Sequence, residues 1–114
     1  MDELFEKSLL YDFYGELLTE HQKSVYERFV FEDMSLAEVA EDEGISRQGV
    51  HDLVKRCDKI LQDYERKLHL VKKFVMIKKK ATEIENLSGE SDPSKQDKAL
   101  KKIRKLAAGI IEDL

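Results

Sequence analysis

The sequence has no tryptophan, a single proline, a single cysteine and five glycines in 114 residues. With so few helix breakers, little in the chain forces it out of helical conformation. One cysteine, Cys57, cannot form an intrachain disulfide, and a zinc site needs several ligands. Its expected role is that of a small apolar side chain on a helix. The three histidines, His21, His51 and His69, fall in separate segments and give no metal-ligand spacing. No apolar run approaches the roughly 20 residues needed to cross a bilayer. Met1 to Glu6 is acidic and lacks the basic start of a secretory signal, so the expected location is cytoplasmic, without membrane insertion. Glycine-rich phosphate loops, nucleophile motifs and carboxylates clustered in an apolar frame are also missing. Catalysis is therefore not expected, and nothing calls for a cofactor or a metal. Adjacent acids such as Glu41, Asp42 and Glu43 read most simply as a solvated helix face.

What the chain does have is charge. Charged residues make up 39% and apolar residues 41%, a balance that suits helices with one solvated face and one buried face. The net charge of −4 hides an asymmetry. Residues 1–46 carry 13 Asp/Glu against three Lys/Arg, a balance of −10, whereas residues 47–114 carry 11 against 17, a balance of +6. The two ends should attract different partners.

The apolar spacing is helical throughout, with no strand alternation. Leu4, Leu9, Leu10, Phe13, Tyr14 and Leu17 form a first stripe, with Gly15 as a weak point. Thr19 and Gln22 are spaced as a capping box that opens a second helix carrying Val25, Phe29 and Val30 and ending at Glu32-Asp33. Ser35 and Glu38 repeat the box for a helix of about two turns, which Gly44 is placed to end. Ser46 caps a fourth helix whose inward side carries Val50, Leu53, Val54, Cys57, Ile60, Leu61, Tyr64 and Leu68. That helix either continues past Leu68 or bends between Lys67 and Leu70, where the stripe shifts phase. Leu70, Phe74, Ile77, Ala81, Ile84 and Leu87 follow. Ser88 to Pro93 is the clearest loop, and Ser94 with Asp97 resembles another cap. Leu100, Ile103, Ala107, Ile110 and Leu114 then alternate by three and four as a heptad seam does.

Residues 35–56, SLAEVAEDEGISRQGVHDLVKR, satisfy the steric demands of a helix-turn-helix, two short helices packed steeply around a tight turn. Ala40 supplies the small side chain where the helices touch. Gly44 supplies the positive φ of the turn. Ile45 is expected to plug the core behind it, and Val50 and Leu53 face inward opposite Leu36 and Val39. Glu43 departs from the pattern, since an apolar residue usually precedes the turn.

In such a motif the second helix enters the major groove with its N-terminal residues nearest the bases. Those residues are Ser46, Arg47 and Gln48. Arginine pairs with guanine and glutamine with adenine, and a helix N-terminus with a serine hydroxyl suits a phosphate. His51, Lys55 and Arg56 lie further along the outward side, within reach of the backbone. Asp52 on that side would accept from cytosine or repel phosphate. The plain alternative for Arg47 and Gln48 is an exposed helix surface in a motif that binds protein. Lys72, Lys73, Lys78, Lys79 and Lys80 read equally well as a basic stripe for nucleic acid and as a solvated face.

Four strings, Tyr11 to Thr19 (YDFYGELLT), Ser35 to Ala40 (SLAEVA), Ser46 to Asp52 (SRQGVHD) and Tyr64 to Leu68 (YERKL), resemble the YlxM-type family of small proteins of Gram-positive bacteria. Those proteins carry a helix-turn-helix like the promoter-reading domain of sigma factors. The resemblance covers most of residues 1–75. It implies nucleic-acid binding and a cytoplasmic protein tied to the signal recognition particle pathway.

The expectation is thus an all-α helical bundle. A sigma-factor-type helix-turn-helix domain spans residues 1–68, with its motif at 35–56. A C-terminal helical extension spans 69–114 and serves dimerisation or packing. Its seam either folds back on the chain's own core or pairs with a second copy, and a homodimer is favoured because paired readers set half-site spacing. The expected partner is double-stranded DNA ahead of RNA. The rival is an interaction protein whose acidic N-terminal half docks a basic partner, such as a signal recognition particle component, with Glu38, Glu41, Asp42 and Glu43 as its acid face.

Overall fold

The computed structural model describes residues 2–114, and its elements are helices with no strand among the described residues. Helix α1 spans Glu3–Tyr14 and starts at Asp2, whose carboxylate accepts from the Phe5 N–H at 2.9 Å. At Gly15 the chain tightens into a 3₁₀ turn, Gly15–Leu17. A Cβ at Gly15 would stand 3.2 Å from the Tyr11 ring, so the glycine lets that ring lie flat against the backbone. The tighter turn also shifts the stripe: Leu18 is buried, whereas Leu17 is 55% exposed rather than inward as the spacing suggested. Leu4 and Phe13 are likewise exposed, and Leu9 and Tyr14 carry the burial of α1.

Helix α2, Glu20–Tyr26, begins with the expected box: the Thr19 hydroxyl accepts from the Gln22 N–H at 3.1 Å and the Gln22 side chain accepts from the Thr19 N–H at 3.0 Å. It runs into one π-helical turn, Glu27–Phe31, closed by a Glu32 N–H to Glu27 C=O bond of 2.9 Å. The wide turn delivers Phe31 edge-on to both Tyr11 and Tyr26, which are themselves stacked. Asp33, at φ 59°, turns the chain toward α3, Leu36–Glu43.

Helix α4, Arg47–Leu68, is the spine of this part. Val50, Val54, Cys57 and Leu61 fall on one stripe and are buried against α1, α2 and α3. Enclosing aliphatic side chains of this size stabilises the fold by about 1.5–3 kcal/mol each. Three tyrosines on the core's edge avoid leaving a buried hydroxyl unpaired by donating to carboxylates: Tyr11 to Glu27 at 2.5 Å, Tyr14 to Glu65 at 2.6 Å and Tyr26 to Asp58 at 2.7 Å. Burial and these acids push the Tyr11 and Tyr26 hydroxyls well above the usual phenol range. The helix stops at His69, which takes the left-handed conformation (φ 57°) and donates its N–H to the Glu65 carbonyl. The bend between Lys67 and Leu70 is therefore a break.

The chain forms two compact units, residues 1–69 and 70–114. The second is a helical hairpin of α5, Leu70–Ser88, and α6, Pro93–Asp113. Helix α6 is capped by Asp92, not by Ser94 and Asp97 as the spacing suggested. The Asp92 carboxylate accepts from the Ser94 N–H and hydroxyl at 2.9 and 2.8 Å, which holds its pKa down, and Pro93 fits the first helical position. The helices run antiparallel, with Leu87 near Ile103 and Lys80 paired to Asp113 at 2.7 Å. The single seam expected on α6 divides into two. Ala99, Ile103, Leu106 and Ile110 are buried or half-buried toward α5. Leu100, Ile111 and Leu114 are 63%, 73% and 84% exposed. One neighbouring helix covers one face only.

Cys57 gives a test of this core. Its thiol is fully enclosed, and burial, with Asp58 adding, pushes its pKa to about 11. Unfolded, it would ionise near 9.0. Above that pH the unfolded chain sheds a proton that the folded chain keeps, so stability falls as pH rises from about 9 toward 11. The melting temperature should drop over that range, and Cys57→Ala should delay the drop until the tyrosines take it up near pH 10. A thiol reagent at pH 8 should label native protein slowly and denatured protein at once. Rapid native labelling would mean that Cys57 is not enclosed.

Candidate nucleic-acid interface

The motif is built from local bonds. The Ser35 hydroxyl accepts from the Glu38 N–H at 3.1 Å while the Glu38 carboxylate accepts from the Ser35 N–H at 3.3 Å, which starts α3. Gly44 ends it in the left-handed conformation (φ 67°, ψ 31°), and the Ile45 N–H returns to the Ala40 carbonyl at 3.1 Å. The Ser46 hydroxyl then accepts from the Gly49 N–H at 2.9 Å and starts α4. Val39, Ala40 and Val50 are buried between the two helices, and Leu36 and Leu53 are half-buried. Ile45 is a correction to the expected plug: it stays 39% exposed, lying over Gly49 at the outer edge of the turn.

The departure at Glu43 has a physical account. Its carboxylate is largely enclosed and receives Arg28 of the π-helical turn on one oxygen and His21 Nε2 on the other, the latter at 2.9 Å. Arg28 also reaches Asp42 at 3.5 Å. An ion-paired clamp from α2 and its extension thus holds the C-terminal end of α3, where an apolar contact was expected. Neither Arg28 nor His21 was singled out by sequence reasoning, and the polar residue at an apolar position was the one signal available. The same bonds occupy most of the acid on α3. Glu38 serves the cap, Asp42 and Glu43 serve Arg28, and Glu41 has no partner among the described residues.

On α4, Arg47, Gln48, His51, Lys55 and Arg56 are all exposed, and Ser46 sits exposed at the start with its oxygen already accepting from Gly49. Arg47, His51 and Lys55 recur every four residues on one stripe. Arg47, Lys55 and Arg56 have no partner among the described residues. Gln48 is held: its Nε2 donates to Asp52 Oδ1 at 2.9 Å, and His51 Nδ1 lies 3.8 Å from the same oxygen. The outward face therefore offers three cations, one ordered amide and one carboxylate. Among the described residues no group of His, Cys, Asp and Glu could hold a metal, and no helix is long and apolar enough to cross a membrane.

A short capped helix and a long capped one around a left-handed glycine, with the second helix exposed at its start, define a helix-turn-helix protein of all-α class. The family described as "Putative helix-turn-helix protein, YlxM / p13 like" matches residues 1–103, and the chain belongs to it. Two of the relatives match nearly the whole chain. A UPF0122 protein of Desulforamulus reducens is 39% identical over 112 residues, covering 98% of this chain and 96% of its own. One of Acetivibrio thermocellus is 40% identical, covering 98% and 99%. One of Clostridium novyi is 46% identical over 89 residues, 77% of each chain.

Proposed function

We propose that this is a DNA-binding regulatory protein whose helix-turn-helix works as the promoter-reading domain of a sigma factor does, with α4 in the major groove. The observation that carries the proposal is the division of charge across the motif. The cations Arg47, Lys55 and Arg56 are unengaged on α4, while on α3 Glu38 is bonded to its own helix cap and Asp42 and Glu43 to Arg28. Phosphates running past the motif would thus meet available cations on α4, while the α3 acids Glu38, Asp42 and Glu43 are already bonded within the domain and Arg28 offsets part of their charge. Arg47 and Gln48 meet base edges, and Ser46, His51, Lys55 and Arg56 position the backbone. Selection from a randomised duplex pool tests this: recovery of a preferred sequence supports it, and no enrichment overturns it.

The second reading is an interaction protein of the signal recognition particle pathway, contacting its protein or its RNA. It is favoured by the acid excess of the first unit, 17 Asp/Glu against nine Lys/Arg in residues 1–69, a balance of −8. On that reading the helix-turn-helix is a scaffold and Glu41 belongs to the docking face.

Either activity would be exercised as a cytoplasmic homodimer formed through the outward stripe of α6. Leu100, Ile111 and Leu114 are the side chains available for it, and Ile103 is committed to α5. Sedimentation equilibrium at tens of micromolar (about the range in which weak dimers register) should give twice the chain mass, and Ile111→Glu should return it to one. A wild type that stays monomeric overturns the dimer, and an Ile111→Glu variant that keeps the doubled mass moves it to another surface.

A further inference from the structure

Asp52 is an odd residue for a helix facing phosphates, because its charge opposes binding to any sequence. Its hydrogen bond with Gln48 gives it a use. A carboxylate only accepts, so the atom of the Gln48 amide that faces it is the nitrogen, with no ambiguity between oxygen and nitrogen. Like partial charges turn Oε1 away from the carboxylate, which leaves Asp52 bonded to the N–H on the side opposite Oε1. The other N–H and Oε1 then point outward together as one donor–acceptor edge. That edge matches adenine, which presents N7 as acceptor and N6–H as donor in the major groove. Guanine presents two acceptors, N7 and O6, and offers Oε1 nothing.

Resting on the DNA-binding reading above, we propose that Asp52 is a positioning residue: it orders the Gln48 amide on α4 so that this position reads adenine. Asp52 itself touches no base. Its charge lowers affinity for all duplexes alike, so that binding depends more on the ordered contacts. A glutamine free to rotate would lose side-chain freedom on binding. One already tied to the next turn of its own helix has given up that freedom beforehand.

The test uses the full chain and duplexes carrying the site recovered from a randomised pool, with the position lost on Gln48→Ala varied between adenine, 7-deazaadenine and guanine. Wild type should favour adenine over guanine by about ten-fold or more, and 7-deazaadenine, which lacks the N7 acceptor, should lose most of that preference. Asp52→Ala should bind all duplexes more tightly but with the adenine preference reduced several-fold. Asp52→Asn should bind all of them more tightly with the preference kept, since its neutral carbonyl still accepts from Gln48. Charge alone would make the two variants behave alike. The proposal is overturned if Asp52→Ala keeps the full preference, if both variants lose it equally, or if no position of the recovered site depends on Gln48. A wild type that enriches no duplex overturns the DNA-binding reading itself and takes the proposal with it. The other failures all occur in proteins that still bind with sequence preference.

Discussion

An Ala40→Leu variant is expected to be less stable by about 1–3 kcal/mol, which for a unit of this size is a fall in melting temperature of roughly 4–8 °C per kcal/mol. Ala40 is 6% exposed, its carbonyl accepts from the Ile45 N–H, and its neighbours Val39 and Val50 are fully enclosed. Three added carbons have no free volume at the crossing of α3 and α4, so the helices must part or the turn must shift. Ala40→Ser should be tolerated, and Ala40→Gly should cost only about 1 kcal/mol of helix propensity. The strain at Gly44 differs in kind. A Cβ there meets nothing within 4 Å, so a substitution at Gly44 suffers from its positive φ alone, at about 1–2 kcal/mol. Thermal melts followed by circular dichroism would compare these variants, and an unchanged midpoint for Ala40→Leu would mean that α3 and α4 do not cross at Ala40.

The parts of the fold that were legible in the sequence are those decided within four residues. The boxes at Thr19 and Ser35 and the cap at Ser46 each join a side chain to a backbone group one turn away, and the stop at Gly44 needs only the positive φ that glycine takes without strain, so local spacing carries them all. The parts that were not legible depend on distant partners or on competition between two faces. The clamp of Arg28 and His21 on Glu43 spans 15 and 22 residues. The left-handed stop at His69 has no glycine to announce it. The α6 seam contained residues of two faces because 3.6-residue periodicity over five turns fits either one, and only the place of α5 chooses. On the candidate site, sequence reasoning identified the exposed residues of α4, but the bond between Gln48 and Asp52 required the rotamers of both.

The largest functional effects are expected from Arg47 and Lys55, and the two should differ in kind. Arg47 stands at the first position of α4, exposed and without a partner among the described residues, where a guanidinium can fork onto guanine. Arg47→Ala should cost about 1–3 kcal/mol at the preferred sequence and much less elsewhere, so the preference relaxes along with the affinity. Lys55 lies two turns further along, beside the expected path of the phosphates. Lys55→Ala should weaken all duplexes alike and lower the slope of log affinity against log salt by about one. Neither side chain belongs to the buried stripe of Val50, Val54, Cys57 and Leu61, so both variants should give native circular dichroism. A protein-docking role predicts the opposite pattern. Duplex binding would then be negligible at physiological salt in wild type and variants alike, and Glu41→Lys would abolish capture of a basic partner from the signal recognition particle. One titration series, wild type and the two variants against the recovered duplex at several salt concentrations, separates the outcomes. Equal losses on all sequences for both variants would reduce Arg47 to a phosphate contact. No binding by wild type, together with loss of capture on Glu41→Lys, would leave the helix-turn-helix as a framework for protein contact.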